Sequence, residues 1–242
     1  MDPLDTYSIN TISAEVPQNE QENWDQYWAI ETADTEQFGG SENEAGRETD
    51  KKVWQQFNET IERRADGYYV RLPWKELVPH LPDNKALAYQ RLVNVYAALS
   101  KNEPLLREYN NVFQDQLAQQ VIEVVNEDDH NGGVQIHYIP HQPVITPHKT
   151  TTKLRVVFDA SSHYKGCPSL NDVLDRGPVI LPLLYGILLR FRMGEIAIIS
   201  DIEKAFLQVR LQEQDRDATR CLWLRDYQLP PSKSNIVTYR FT

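Results

Sequence analysis

The stretch AIISDIEKAF, residues 197 to 206, places Asp201 at the tip of an apolar, β-branched run that begins at Ile196. A carboxylate at the end of a buried strand loses hydration unless a cation meets it. Asp201 therefore reads as half of a structural ion pair or as a metal ligand. Mg²⁺ takes hard oxygen donors, typically one or two carboxylates with substrate phosphates completing the shell. A phosphate clamp is available in ITPHKTTTKLRVVF, where a Thr-rich turn between two β-like segments sets Lys149 and Lys153 at a hairpin tip and Arg155 starts the next strand. Such a tip suits phosphates, and an ordinary solvated loop with surface lysines is the alternative reading. Residues 141 to 170 also hold Lys165, His141, His148 and His163 against the single acid Asp159.

Two other constellations carry less. His137 and His141 are four apart, but Pro140 lies between them and keeps them from sharing a helix face. No cysteine pair or Glu-rich helix completes a zinc site. FDASSH contains the residue types of a hydrolase triad without the glycines of a nucleophile elbow, and residues this close in sequence seldom form a triad.

Elements that could position these residues follow from periodicity. Asp83 or Asn84 can cap a helix in which Ala88, Leu92, Val95, Tyr96 and Leu99 recur at helical spacing as far as Ser100. A second helix is capped by Asn102, carries Pro104 in its first turn, and buries Leu105, Tyr109, Val112, Phe113, Leu117 and Val121. VQIHYI, PVITPHK and KLRVVFDASS read as strands, and Pro178 opens a helix through Arg192. Ile196 to Ile199 suits a strand buried on both faces. LQVRL, CLWLR and IVTYRF suit further strands.

The net charge of -10 is unevenly placed. Residues 1 to 50 carry 13 acids and Arg47 alone; taken from totals of 35 and 25, this leaves 22 acidic and 24 basic side chains for residues 51 to 242. The acidic part, with sparse aromatics, reads as a mostly disordered leader, and its island NWDQYWAIE reads as one or two amphipathic turns. Two distant cysteines, Cys167 and Cys221, suit a reduced compartment. No secretory signal opens the chain, and VILPLLYGILLRF is too short to span a bilayer, so the expected location is intracellular: cytoplasmic, in a virus-like particle, or nuclear. The sequon at Asn58 is then a chance match.

Several long ordered blocks point further. YYVRLPWK, YIPHQPVITPHKTTTKLRVVFDASSHYKGCPSLNDVLDRGP and LLRFRMGEIAIISDIEKAFLQVRLQEQDRDATRCLWLR closely resemble the reverse transcriptase of BEL/Pao-type long-terminal-repeat retrotransposons. The resemblance extends from about Trp24 to the last residue. It implies an α+β chain: an acidic leader over 1–50, a helical pre-fingers segment over 51–125, fingers and palm entry over 126–192, and the first half of a right-handed polymerase palm over 193–242. It makes Asp201 the catalytic aspartate that binds both Mg²⁺ ions, with Ile202 beside it as a second metal contact. Arg155 packs over the incoming nucleotide, and Lys149 and Lys153 reach its triphosphate. Lys204 and Ala205 line the nucleotide, and Phe206 matches the aromatic that blocks a ribose 2′-hydroxyl. The partners implied are an RNA or DNA template-primer, deoxynucleotide triphosphates and the remainder of a polyprotein, with no membrane.

Departures from the family pattern shape the expectation. No Tyr-x-Asp-Asp tetrad follows Asp201, so the second carboxylate pair of a two-metal site is missing, and no Asp-Thr-Gly or Asp-Ser-Gly of an aspartic protease occurs. TYRFT resembles the start of the next motif. The expectation is a polyprotein slice that lacks polymerase activity by itself. The alternatives are a non-catalytic nucleic-acid or protein-binding module derived from the element, and a decayed fragment without function.

Overall fold

The computed structural model describes residues 41–76, 81–126, 135–146, 154–180, 183–193, 195–196, 198–202 and 204–242. The chain divides into two compact units, Met1–Glu48 and Thr49–Thr242. Of the first, only residues 41–48 are described. They form the opening turns of α1 (Ser41–Thr60), which continues across residue 50, where the sequence reading ends the disordered leader. NWDQYWAIE lies outside the described residues.

The second unit mixes helices with small sheets. After α1 come β1 (Glu62–Arg64) and β2 (Gly67–Val70), then α2 (Lys85–Leu99), α3 (Glu103–Ala118) and β3 (Ile122–Val124). A hairpin of β4 (His141–Ile145) and β5 (Leu154–Phe158) precedes α4 (Leu184–Phe191), and β6 (Val209–Leu211), β7 (Arg220–Leu224) and β8 (Ile236–Phe241) complete the order. β2 pairs antiparallel with β1 and parallel with β6, while β8 lies between β3 and β7, antiparallel to both.

α2 and α3 form where the apolar spacing places them. Asn102 accepts a hydrogen bond from the Leu105 backbone N–H at 3.3 Å, and Pro104 occupies the first turn, where its missing donor costs nothing. At the start of α2 it is Asp83 that caps, accepting from Lys85 N–H at 3.1 Å, whereas Asn84 adopts a left-handed backbone with φ 60°. The α3 stripe buries Leu106 more deeply than the expected Leu105.

Both helices cover an aromatic core. Phe113 stacks on Trp223 with centroids 5.0 Å apart and planes 7° from parallel, and the Trp223 indole donates to Asn110 Oδ1 at 3.0 Å. Burial of rings this large supplies much of the packing energy of so small a fold. At the sheet's polar end, Arg220 lies opposite Arg240 in the β7–β8 register. Like charges so placed repel, but Asp217 Oδ1 accepts from both, at 2.9 and 3.1 Å, and Glu123 on β3 accepts from Arg240 at 2.6 Å.

Three expected elements differ. Of VQIHYI, the described residues 135–139 form no strand and make a single bridge, Tyr138 to Arg220, and α4 begins at Leu184 rather than near Pro178. Ile196 to Ile199 is no buried strand: Ile196, Ile198 and Ile199 are 83–87% exposed. The physical reason is pairing. A strand buried on both faces needs neighbours that accept its backbone hydrogen bonds, and among the described strands none lies beside this run.

Candidate functional site

Arg155 sits on β5 opposite Val144 of β4, on the outward face of the hairpin. Its neighbour Leu154 is buried, so the period-2 alternation of the strand sends the guanidinium into solvent. No ion pair holds it among the described residues. Lys149 and Lys153 lie outside the described residues, and so do His148 and Glu203.

Asp201 and Ile202 are exposed, in a segment without regular structure. Asp201 Oδ1 accepts from the backbone N–H of Ile202 at 2.9 Å, and no cation meets the carboxylate among the described residues. The desolvation argument for a buried acid therefore does not apply to it. Lys204 follows in a left-handed conformation with φ 52°, its ammonium 3.5 Å from Gln119 Oε1, and opens the short 3₁₀ turn Ala205–Gln208. Phe206 on that turn is 94% exposed. With Ala205 it borders an apolar cavity of about 590 Å³ that is also lined by Val70, Val121 and Phe241. Asp201, Ile202, Lys204, Ala205 and Phe206 are thus gathered by adjacency in one exposed segment, and no hydrogen bond or ion pair among the described residues joins Arg155 to them.

Compared with protein-family models and with curated proteins, the chain matches none. Among the described residues no three His, Cys, Asp or Glu side chains gather as a metal site. Asp201 supplies a single carboxylate, which fits as one ligand of an Mg²⁺ shell and does not by itself make a two-ion centre.

His137 and His141 are structural. His141 is fully enclosed, with Nδ1 accepting from the Tyr109 hydroxyl at 2.6 Å and Nε2–H donating to Leu222 O at 2.8 Å; burial lowers its pKa to about 4. His137 donates Nδ1–H to Pro82 O at 2.7 Å, and burial lowers its pKa too. His141 is held through both ring nitrogens and His137 through Nδ1 with its buried Nε2 unpartnered, and among the described residues no set of three metal-ligating side chains includes either ring. FDASSH is a turn. Burial tends to raise the Asp159 pKa, but hydrogen bonds from Ser161 and Arg91 outweigh it and hold the carboxyl below its ordinary value. Ser162 donates to Asp159 O, so the hydroxyl faces no imidazole base.

Sequence reasoning passed over Asp215. This buried carboxylate accepts from Arg71 Nε at 2.6 Å, Leu72 N–H at 2.9 Å and the Trp74 indole at 3.0 Å. Its surroundings, QEQDRD, look like any solvated charged turn, and its partners lie in the YYVRLPWK block far upstream. The signal was present only as an unexplained Arg and Trp flanking Leu72–Pro73.

Proposed function

We propose that the chain is the fingers and first palm portion of a BEL/Pao-type retrotransposon reverse transcriptase, an intracellular RNA-directed DNA polymerase. In the complete protein a primer 3′-hydroxyl attacks the α-phosphate of a deoxynucleotide paired to an RNA or DNA template. The single observation that supports this reading is the ordered pair of blocks PVITPHKTTTKLRVVFDAS and IAIISDIEKAFLQVRL, which together supply a basic clamp and an acid followed five residues later by an aromatic ring. The described geometry is compatible with it. Arg155 projects from a hairpin into solvent, where a triphosphate can reach it, and Asp201 keeps its carboxylate accessible. Because the donor set fits one metal ligand only, no metal-dependent step is assigned to residues 1–242 by themselves.

The test is a chimera in which residues 135–211 replace the matching segment of a complete Pao-type polymerase. Primer extension by the chimera, lost on Asp201→Asn, is the expected result. Equal extension by the chimera and its Asp201→Asn variant would falsify the assignment of the catalytic aspartate.

A further inference from the structure

A second cleft lies where the first turns of α2 meet the ends of β3 and β7 and the start of β8. It encloses about 670 Å³, within the range of small-molecule sites, and is open to solvent on one side. Its lining is largely aliphatic, with Ile236 and Val237 half-buried and Val124 56% exposed, and Tyr89 contributes a ring that is 40% exposed. Lys85, Arg225 and Lys233 stand around it with one acid, Asp83, whose Oδ1 already accepts from the Lys85 N–H. The side chains of Arg225 and Lys233 make no hydrogen bond or ion pair among the described residues.

We infer that this cleft binds a nucleoside phosphate, free or as one unit of a single strand, with the base against Tyr89 and the phosphate between Arg225 and Lys233. The chemistry selects this class. A bare anion gains nothing from an aliphatic lining, and an extended fatty chain is left largely in water by a cleft open on one side. A flat base covers both the aliphatic side chains and the Tyr89 ring, and aromatic stacking tolerates any base. Arg225 adds a planar fork and Lys233 a point charge, the two donor types that phosphates take. The cleft shares no residue with the Asp201 segment. Substitutions in the cleft therefore test this site separately from the nucleotide and template contacts that the polymerase reading assigns elsewhere.

The full chain is titrated calorimetrically with thymidine monophosphate and, separately, with short oligothymidylate, at several salt concentrations. Tyr89→Ala weakens binding about 5- to 150-fold, the effect of losing one stacked base, whereas Tyr89→Phe retains it. The Arg225→Gln, Lys233→Gln double variant, altered only at exposed positions, lowers the slope of log affinity against log salt for the oligonucleotide by about 1.4. Asp201→Asn changes neither. Binding of the mononucleotide with competition between the two probes assigns the site to free nucleotides, and binding of the oligonucleotide alone assigns it to a strand; either supports the inference. It is overturned if neither probe binds, if both variant sets bind as the unaltered chain does, or if inorganic phosphate or an acidic peptide displaces the probes as well as thymidine monophosphate.

Discussion

Arg71 Nε donates to Asp215 Oδ2 across 2.6 Å and so joins two points 144 residues apart in the chain. The same carboxylate holds the Leu72 backbone N–H and the Trp74 indole, so one acid fixes the segment after β2 against the turn after β6. Since β2 and β6 are also neighbours in a parallel pair, this contact supports the register of the β1–β2–β6 sheet.

Removing that acid leaves the Leu72 and Trp74 N–H donors without an acceptor, while the Arg71 guanidinium keeps the Gln214 side-chain oxygen and partial access to water. Asp215→Ala should cost about 1–3 kcal/mol of stability, the range for buried donors left unpaired, because the guanidinium itself keeps partial access to water. Urea unfolding of the two proteins measures it, and a loss under about 1 kcal/mol would mean that water replaces the carboxylate freely.

His141 sets a pH dependence. The ring is neutral when folded because burial holds its pKa near 4, while the unfolded chain protonates at about 6.5. The unfolded state therefore binds more protons below pH 6.5. Stability is full above that value and falls as the pH drops toward 4, by at most about 3 kcal/mol from this residue. The lowered pKa of His137 acts in the same direction. His141→Gln should flatten the decline between pH 6.5 and 4, measured by denaturant titration at each pH, although its stability at neutral pH is lower. An unchanged slope would show that the ring gains a proton without unfolding.

Much of this core was legible from spacing alone. Tyr109 and Phe113 recur on one helical face, and CLWLR and IVTYRF form strands because short apolar runs had partners in β8 and its neighbours. Ile196 to Ile199 has the same composition and a different outcome, because composition cannot say whether a partner strand stands alongside. Asp215 was illegible for a related reason: its role depends on Arg71 and Trp74, and nothing local distinguishes it from Glu213 or Asp217. Residue types and spacing alone single out Asp201 and the Lys149, Lys153 and Arg155 cluster as candidates, whereas the roles expected of Arg155 and Phe206 at a nucleotide come from the family resemblance, since exposed side chains leave no packing signature.

Arg155 offers a kinetic test. Placed in a complete Pao-type polymerase, Arg155→Ala should raise the nucleotide concentration needed for half-maximal incorporation by roughly tenfold or more, the scale of one lost charge-assisted contact, while template affinity stays nearly constant. Its outward position on β5 means that stability is unaffected, which separates a contact role from a structural one. Unchanged incorporation at limiting nucleotide would remove it from the site.

Phe206 can be tested on sugar selection. A ring packed under the sugar excludes the extra hydroxyl by its bulk, so in the complete enzyme Phe206→Val should raise ribonucleotide use while partly sparing deoxynucleotide use. At 94% exposed, the ring gives up almost no packing on substitution. Equal discrimination by both enzymes in single-nucleotide incorporation would place the gate elsewhere.

The last prediction concerns residues 1–242 as they stand. Two divalent ions held close to a triphosphate need several carboxylates, and Asp201 stands in the sequence without a following Tyr-x-Asp-Asp pair. Nearby, Leu184, Leu189, Met193, Ile196, Ile198 and Ile199 are each more than half exposed, and the helix α4 buries none of its residues. Exposed apolar area on this scale drives association in water. Purified protein should therefore show no primer extension with Mg²⁺ or Mn²⁺, and light scattering should report a mass that rises with concentration. Replacing Leu189 and Ile198 by Lys should lower that mass without creating activity. A monodisperse monomer would mean that the apolar segment is covered in solution, and primer extension abolished by Asp201→Asn would mean that one aspartate suffices where the two-metal argument requires more.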